Sequence, residues 1–282
     1  MSFQLPDTSI LAGLTLRVRD LDAALAFYRD LLGLEVVVRE DGRTLLAPGG
    51  RAFTLELLHD PGAAVRPARS LGLYHFALLL PDRAALAATV RRLVEIRWSL
   101  GGSDHGVSEA LYLSDPEGNG IELYRDRPRE QWPLEPDGDL AMVTARLDMV
   151  GLERENPRAG PLHPQTRFGH IHLHVDSLER GEALYAGGLG LRVMQRSYPG
   201  ALFLSVGGYH HHLGLNLWGR GAAPPGATGL VRYTWQVPEG TVTHLRAHLS
   251  TAGTPVCQVP AGVSLTDPAG VEVIITEEPL RR

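Results

Sequence analysis

The stretch that decides the fold is residues 13–34, GLTLRVRDLDAALAFYRDLLGL, because it occurs twice in the chain. It recurs at residues 169–191 as GHIHLHVDSLERGEALYAGGLGL, with a strand pattern, a helix pattern and a Leu-Gly-Leu exit in the same places. Tyr28 of the first copy matches Tyr185 of the second. A repeat of this length indicates duplicated structural units, so the same strand-then-helix unit is predicted at both places.

A second kind of unit follows each copy of this repeat. Residues 73–78, LYHFAL, precede the helix pattern DRAALAATVRRL, and residues 231–235, VRYTW, precede the helix pattern GTVTHLRAHL. Both units end in a turn and a strand, which are DPEG then NGIELY from Asp115, and DPAG then VEVIIT from Asp267. The chain therefore consists of strand–helix–strand units of two kinds that alternate.

The four units form two pairs along the chain. This pairing predicts an N-terminal domain over residues 8–127 and a C-terminal domain over residues 167–282, which superimpose on each other unit by unit. Between them, residues 128–166 are rich in Pro, Arg and acidic residues, so we expect a linker that contains one short helix.

Length, composition and charge exclude several classes of protein. The 282 residues are 44% hydrophobic and carry a formal net charge of -5 without a basic run, so we expect a substantial core and no nucleic-acid partner. The N-terminus lacks a signal-peptide pattern and no apolar run reaches the ~20 residues of a membrane span, which predicts a cytoplasmic protein that binds no membrane. Because Cys257 is the one cysteine, any metal must be held by His and carboxylate ligands.

Several motifs of the repeat are shared with a known family. The V-x-D-L start, the A-x-x-F-Y-x-x-x-L-G-L continuation and the closing D-P-x-G-N-x-I-E together resemble the vicinal oxygen chelate superfamily. That superfamily includes glyoxalase I, bleomycin- and fosfomycin-resistance proteins and type I extradiol catechol dioxygenases. The segments GLYHFALLLPDRAAL and GALFLSVGGYHHHLGLNLW are most similar to its two-domain catechol 2,3-dioxygenase-like members. The resemblance implies an α+β fold of four βαβββ modules in two paired half-barrel domains, each pair curled around a divalent metal.

The resemblance also implies which strands supply the metal ligands. In the C-terminal pair, the first-strand ligand position is His170. The H-H-x-L-x-L pattern of extradiol dioxygenases falls on residues 210–215 and makes His211 the inward ligand, with His210 and His212 turned to the opposite face by strand alternation. We expect ring nitrogens of His170 and His211 roughly 3 Å apart, close enough to share one ion at bond lengths of ~2.0–2.2 Å.

The third ligand of this C-terminal site departs from the family pattern. The superfamily carboxylate stands four residues after the glycine of D-P-x-G, and this position is Ile274. Glu272 points to the same face but lies two residues, about 7 Å, too early along the strand, so it ligates only if the strand is shifted or bulged. The expected C-terminal site is therefore His170, His211 and Glu272.

An alternative metal site lies in the N-terminal pair. His75 stands at a module-start position and Glu122 stands four residues after Gly118, as the pattern requires. The other module-start position is Gly13, which offers no ligand. Glu56 resembles the carboxylate strand of glyoxalase I and is the remaining candidate. Each half of the chain therefore has two residues that match ligand positions of the family and no ligand residue at the third position.

Further residues are candidates for acid–base chemistry or for a substrate pocket. The acid–base candidates are His105, His172, His212 and Tyr209. His105 is either such a group, a recruited metal ligand, or a turn histidine capped by Asp104. His172 shares the inward face of its strand with the first-strand ligand. The aromatic residues that either wall a pocket or belong to the core are Tyr209, Trp218, Tyr233 and Trp235.

Three functions remain open from the sequence alone. The first is a ring-cleaving extradiol dioxygenase, because a two-His, one-carboxylate set leaves positions open for a catechol and dioxygen. The second is a glyoxalase-like isomerase or lyase, in which the metal acts only as a Lewis acid. The third is a non-catalytic small-molecule-binding or resistance protein with degenerate metal sites. The sequence favours the first function, with Fe(II) as the expected cofactor and Mn(II), Zn(II) or Ni(II) as alternatives. The expected partner is a small aromatic or carbonyl substrate, and the sequence also allows a homodimer.

Overall fold

The structure is a computed structural model that describes residues 3–136, 138–156 and 158–279. Its strands, numbered in chain order, are β1 (Ile10–Val18), β2 (Glu35–Glu40), β3 (Arg43–Ala47), β4 (Thr54–His59), β5 (Gly72–Leu79), β6 (Gly101–Asp104), β7 (Ser108–Ser114), β8 (Gly120–Asp126), β9 (Ala145–Arg146), β10 (Arg167–His174), β11 (Arg192–Gln195), β12 (Ala201–Ser205), β13 (Leu213–Asn216), β14 (Gly229–Gln236), β15 (Cys257–Val259), β16 (Gly262–Thr266) and β17 (Glu272–Thr276). Its α-helices are α1 (Leu21–Leu25), α2 (Arg83–Glu95), α3 (Met149–Glu155), α4 (Leu178–Glu182) and α5 (Thr241–Thr251). No helix in the described ranges is long and apolar enough to cross a membrane.

The chain folds as two compact units. The N-unit comprises Arg17–Ala63 and His75–Gly169, and the C-unit comprises Met1–Leu16, Ala64–Tyr74 and His170–Arg282. Strands β1, β5 and β10 each begin in one unit and end in the other. The domain and linker bounds expected from the repeat stay a prediction.

The strands belong to two curled sheets, one of eight strands and one of nine, in a mixed α+β fold with few helices. In the N-unit the strand orders are β4-β3-β2 and β5-β8-β7-β6-β9, and in the C-unit they are β15-β16-β17-β14 and β11-β12-β13-β10. A module pairs its first strand in parallel with its last, as β5 with β8, β10 with β13 and β14 with β17. The predicted α+β architecture is confirmed, and residues on first and last strands become neighbours.

Both copies of the repeated helix begin after a capping residue that stands at the same place in the repeat. Asp20 caps α1 because its Oδ1 accepts a hydrogen bond from the Ala23 N–H at 2.9 Å. Ser177 caps α4 in the same way, through a hydrogen bond from the Arg180 N–H to its Oγ at 3.1 Å. In the first copy, Glu117 of the D-P-x-G turn also accepts a hydrogen bond from the Asp20 N–H at 2.9 Å. The turn of one module therefore fixes the start of a helix in another.

Both repeated helices also end in the same way. Each continues as a π-helix, over Ala26–Leu31 in the first copy and Ala183–Gly188 in the second. The glycine of the Leu-Gly-Leu exit then adopts the left-handed region, with φ +83° at Gly33 and +75° at Gly190. A residue with a side chain is strained in this region, so the glycine of the motif is required by the fold.

A buried tyrosine of each repeated helix bonds to the aspartate of a D-P-x-G turn. The Tyr28 hydroxyl donates to Asp115 Oδ2 at 2.8 Å, and the Tyr185 hydroxyl donates to Asp267 Oδ2 at 2.6 Å. In the second case the Tyr233 hydroxyl also donates to the Tyr185 hydroxyl at 2.8 Å. We call each of these two arrangements a Tyr–Asp clamp, and it joins two consecutive modules.

Burial shifts the ionisation of the C-unit clamp. It raises the pKa of Asp267 to about 6, although hydrogen bonds from Tyr185 and from the backbone act in the opposite direction. Burial also raises the pKa of Tyr185 and of Tyr233 well above their usual range, and the nearby charge of Asp267 adds to both shifts. The two hydroxyls therefore stay protonated and act as hydrogen-bond donors.

Residues 128–166 contain short elements of their own. The α3 helix begins after Asp148, whose Oδ1 accepts a hydrogen bond from the Gly151 N–H at 2.9 Å, so the expected short helix is present. It packs against α2, where Arg83 forms an ion pair with Glu155 at 2.9 Å. This stretch therefore covers α2 of the N-unit.

Candidate metal centre

His75 and Glu122 lie side by side on the parallel strands β5 and β8. Their Nε2 and Oε2 atoms are 3.0 Å apart, and the two side chains are only 6% and 3% exposed. The register explains the contact: His75 pairs with Gly120 and Ala77 pairs with Glu122, so both side chains point to the same face of the sheet. The fold thus brings together the two ligands expected in the N-terminal pair.

His170 joins this pair through its place on β10. The residue before it, Gly169, lies so close to Tyr124 of β8 that a Cβ atom at this position would overlap the tyrosine hydroxyl. Glycine is therefore required there, and His170 follows by one peptide bond. Single ligand atoms of His75, Glu122 and His170 all lie within 4.8 Å of one another.

These three side chains have the chemistry of a metal centre. Among the residues that the structure describes, they are the one group of three or more His, Cys, Asp or Glu side chains with this spacing, and all are buried. Two imidazoles and one carboxylate are the donor set of iron sites that keep coordination positions open. The group fits a divalent metal, and it combines both expected N-terminal ligands with His170 of the expected C-terminal site.

Tyr112 is a residue of this site that the sequence motifs did not single out. It is the Cα partner of Glu122 on the neighbouring strand β7, and its ring centroid lies 5.5 Å from that of His75. Its hydroxyl and His105 Nε2 form a hydrogen bond of 2.7 Å. A signal was present, because the D-P-x-G turn closes the β7–β8 hairpin and counting back from it puts Tyr112 opposite Glu122.

His105 is connected to the site through this tyrosine. Its second ring nitrogen, Nδ1, lies 2.8 Å from the carbonyl oxygen of Val143, so both nitrogens are hydrogen-bonded. Asp104 does cap a turn here, but through a hydrogen bond from the Gly106 N–H to its Oδ1 at 2.9 Å. His105 therefore stands behind Tyr112 rather than in the group of ligand atoms.

His211 lies against His170, with ring centroids 4.1 Å apart. His210 is not turned to the opposite face as strand alternation predicted, because its Nδ1 lies 2.8 Å from the Nδ1 of His211 and both rings are buried. The alternation fails because the two histidines precede β13, which begins at Leu213, and so belong to a loop. Only one hydrogen fits between two such nitrogens, so the contact holds His211 in one orientation.

The remaining acid–base candidates lie outside the group of three ligands. His172 is buried on β10, two residues beyond the ligand position. His212 is turned towards β12, where its Nδ1 lies 2.9 Å from the Ser205 hydroxyl. Tyr209 packs against His210, with ring centroids 4.0 Å apart. Of the pocket candidates, Tyr233 and Trp235 are core residues.

Glu272 and Glu56 are both paired with arginines on neighbouring strands. Glu272 is the Cα partner of Arg232, and their Oε2 and Nη1 atoms are 3.7 Å apart. The pairing of β17 with β14 and β16 is regular, so no bulge moves Glu272 into the ligand position held by Ile274. Glu56 accepts a hydrogen bond from Arg43 Nε at 2.6 Å. Neither glutamate belongs to the group of ligand atoms.

Comparisons with known proteins agree with this architecture. Residues 10–123 match the model of the Glyoxalase/Bleomycin resistance protein/Dioxygenase superfamily. Over 231 residues the chain is 46% identical to the catechol-2,3-dioxygenase of Bacillus subtilis (strain 168), an alignment that covers 79% of this chain and 81% of that protein.

Solved structures show the same fold. A protein of Bacillus subtilis subsp. subtilis str. 168 described as a dioxygenase matches with a TM-score of 0.71, 16% identity and coverage of 99% of this chain and 87% of its own. Glyoxalase I from Zea mays matches with a TM-score of 0.58, 16% identity and coverage of 95% and 92%. The resemblance carried by the repeat motifs is thus confirmed, and the chain belongs to the glyoxalase/bleomycin resistance protein/dioxygenase superfamily.

Proposed function

We propose that this protein is a metal-dependent extradiol dioxygenase that cleaves the ring of a catechol-type aromatic diol. The observation that carries the proposal is the buried group of His75, Glu122 and His170, a two-histidine, one-carboxylate donor set. The similarity to the catechol-2,3-dioxygenase of Bacillus subtilis supports the same class of reaction.

The same group is proposed to hold Fe(II). His75, Glu122 and His170 would hold the ion through two imidazoles and one carboxylate, a donor set that keeps further coordination positions open. The chemistry that bound iron supplies is chelation of the diol and electron transfer to dioxygen. His75, Glu122 and His170 fix the place of that chemistry, and their burial keeps bulk water away from it.

His211 is proposed to accept a proton from the diol. Its ring lies against His170, so it stands beside the ligand group without belonging to it. Because its Nδ1 is engaged with His210, the proton transfer is assigned to Nε2. A general base must be within hydrogen-bond reach of the proton that it removes, and the contact of the His211 ring with that of His170 supports this role.

Tyr112 is proposed to contact the substrate beside His75. Its ring packs on His75 and its hydroxyl bonds to His105. The His105 ring is itself fixed by the Val143 carbonyl, so the tyrosine hydroxyl is held in place before a substrate arrives. Such fixed hydrogen-bonding groups stabilise charge that develops during a reaction.

The test is oxygen consumption by protein that has been loaded with Fe(II) in the absence of oxygen. With catechol as substrate we expect oxygen uptake and a yellow ring-opened product. His75→Ala should abolish both, whereas His244→Ala, which removes an exposed histidine of α5, should leave both unchanged.

An iron-loaded protein that takes up no oxygen with any catechol would contradict the proposal. Full activity in the His75→Ala variant would contradict the ligand assignment and leave the reaction open. The homodimer that the sequence allows for stays a hypothesis, which sedimentation of the same preparation would test.

A further inference from the structure

The N-unit contains a pocket at the ends of the strands that carry the metal ligands. Its volume is about 590 Å³, it opens to solvent, and we call it the strand-end pocket. Sites for small molecules range from about 300 to 1,000 Å³, with apolar walls and a few polar groups. The strand-end pocket has this composition, with apolar walls that include Leu79, Leu80 and Pro164, and with the polar side chains Asp126, Gln165 and Arg167.

The strand-end pocket is separate from the metal centre. Leu79 stands four residues beyond His75 on β5, and Asp126 stands four residues beyond Glu122 on β8, which is about 13 Å along each strand. A buried cluster fills the sheet face between the two sites, and it consists of Ala77, Leu79, Ala110 and Tyr124. A ligand in the pocket would therefore not contact the group of metal ligands.

Two opposite charges are directed into this pocket from neighbouring strands. On β8 the side chain of Asp126 points to the same face as that of Tyr124, because strand positions alternate. On β10 the side of Gly169 that would carry a Cβ atom faces the Tyr124 hydroxyl, and Arg167, two residues earlier, points to the same side. The carboxylate and the guanidinium thus lie about 7 Å along their strands from one shared contact, and both line the pocket.

We propose that the strand-end pocket binds a free α-amino acid with an apolar side chain, as a second ligand site of this protein. A guanidinium binds a carboxylate through two parallel hydrogen bonds, which assigns the ligand carboxylate to Arg167. A carboxylate has about four lone-pair sites, so Asp126 can accept from the ligand ammonium beside the contacts that it already makes. The ligand side chain packs on Leu79 and Leu80, the apolar wall of the pocket.

The pairing of charges narrows the ligand class. A ligand with only a carboxylate would leave its negative charge near Asp126, and a ligand with only an ammonium would leave its positive charge near Arg167. A zwitterion meets both groups with the opposite charge, and like charges at close range disfavour the other two kinds of ligand.

The test is calorimetric titration of the full-length protein in the presence of a chelator, which keeps an amino acid from binding through a metal ion. The probes are L-leucine, 4-methylpentanoate, which lacks the ammonium, and 3-methylbutylamine, which lacks the carboxylate. We expect L-leucine to bind about tenfold more tightly than either analogue. Glycine, which lacks the apolar side chain, should also bind about tenfold or more weakly than L-leucine.

Two variants change the pocket in different ways. Arg167→Gln removes the charge of an exposed arginine and should weaken the binding of L-leucine about tenfold. Ala52→Phe adds a ring to a half-buried wall residue without changing a charge, and should weaken it by about tenfold or more. Arg246→Gln, which removes an exposed arginine of α5, is the matched control and should bind L-leucine as the wild type does.

Equal affinities for L-leucine and either analogue, or an unchanged affinity in either pocket variant, would overturn the inference. Binding that is lost in His75→Ala but kept in Arg167→Gln would assign the amino acid to the metal centre and overturn it as well. The proposal is independent of the dioxygenase reaction. Oxygen uptake without binding of L-leucine would refute the strand-end pocket alone, whereas binding of L-leucine with the expected preferences supports the pocket whether or not oxygen is consumed.

Discussion

The second module (β5 to β8) and the fourth module (β14 to β17) share a turn, a tyrosine contact and a strand pairing, which together we call the frame. They differ in the side chains that stand on this frame. Asp115 and Asp267 each close a turn, because Oδ1 accepts hydrogen bonds from backbone N–H groups two and four residues ahead, at 2.8–3.0 Å. Each aspartate is also clamped by a tyrosine hydroxyl, from Tyr28 in one case and from Tyr185 in the other. The turn, the clamp and the strand pairing are thus common to both modules.

In the second module three positions face the ligand group, and the residues at the equivalent positions of the fourth module are all different. In the second module these positions, read from the strand register, hold His75, Tyr112 and Glu122. In the fourth module the equivalent positions hold Arg232, Ser264 and Ile274. The comparison teaches that the frame and the chemistry are separate parts of the sequence. The residues that build the fold are present twice, whereas the part of the chain that the structure describes holds one such ligand set.

The largest expected effect is on metal binding. Glu122→Ala removes a buried carboxylate of the ligand group, so we expect Fe(II) affinity to fall by about 100-fold or more and oxygen uptake to stop. Glu272→Ala, its matched control in the fourth module, removes a partner of Arg232 and should leave both unchanged. Iron per protein after gel filtration measures the difference. Loss of iron in the Glu272→Ala variant would mean that the fourth module also binds metal.

The second prediction concerns the pH dependence of the C-unit clamp. The pKa of Asp267 is about 6 in the folded protein, above the ~3.9 of an unfolded chain. The folded state therefore binds the proton more tightly, and this group makes the free energy of unfolding fall by about 3 kcal/mol as the pH rises from about 4 to 6.

Urea unfolding between pH 4 and pH 8 checks this prediction. Asp267→Asn should lack that fall in the free energy of unfolding, whereas Asp115→Asn, its counterpart in the N-unit, should keep it. The same pH dependence in the wild type and in Asp267→Asn would show that the burial of this carboxyl does not set it.

A third, smaller effect is expected on the free energy of unfolding when the tyrosine hydroxyl of a Tyr–Asp clamp is removed. Tyr185→Phe should lower the free energy of unfolding by about 2–3 kcal/mol, because both Asp267 and Tyr233 lose a buried hydrogen-bond partner. Tyr28→Phe should lower the free energy of unfolding by about 1–2 kcal/mol, since the Tyr28 hydroxyl donates a hydrogen bond to Asp115. Denaturant titrations at one pH measure both values. A larger loss for Tyr28→Phe would reverse the order that the hydrogen bonds imply.

The smallest expected effect is on turnover. Tyr112→Phe keeps the ring on His75 but removes the hydroxyl that bonds to His105, so we expect kcat to fall about tenfold, or about 1.4 kcal/mol in the barrier. Ser264→Ala at the equivalent position of the fourth module should leave kcat unchanged. Iron content should be normal in both variants. An unchanged kcat in Tyr112→Phe would remove the tyrosine from the reaction.

The frame can be predicted from the sequence because its residues recur at fixed spacings. Tyr28 and Tyr185 match each other within the repeat, and Gly33 and Gly190 stand in the same Leu-Gly-Leu exit. Each of these residues acts locally, by ending a helix or by bonding to a turn of fixed shape. Local roles of this kind are visible in a one-dimensional pattern.

The ligands can be found one by one in the sequence, but their grouping cannot. His75, Glu122 and His170 each stand at a pattern position, yet the pattern assigns His170 to a separate site with His211 and Glu272. The third ligand, His170, comes from β10, the first strand of another module. The spacing of residues along the chain does not show which first strand supplies this ligand. The sequence therefore predicts two incomplete sites where the structure brings three ligands into one.

The orientation of the histidine run is a second limit of sequence patterns. Alternation applies within a strand, and β13 begins only at Leu213, one residue after the run ends. His210 and His211 therefore follow the path of a loop, which brings their Nδ1 atoms together. Tyr112, by contrast, could have been found, since the hairpin register follows from the turn.

The most direct test of the central claim is anomalous diffraction from a crystal soaked with Mn(II) or Fe(II). The claim is that one ion is held by His75, Glu122 and His170, and that the fourth module holds none. The expected result is a single anomalous peak within bonding distance of those three side chains. A peak bound by His170 and His211 without His75 and Glu122, or a peak at Glu272, would contradict it.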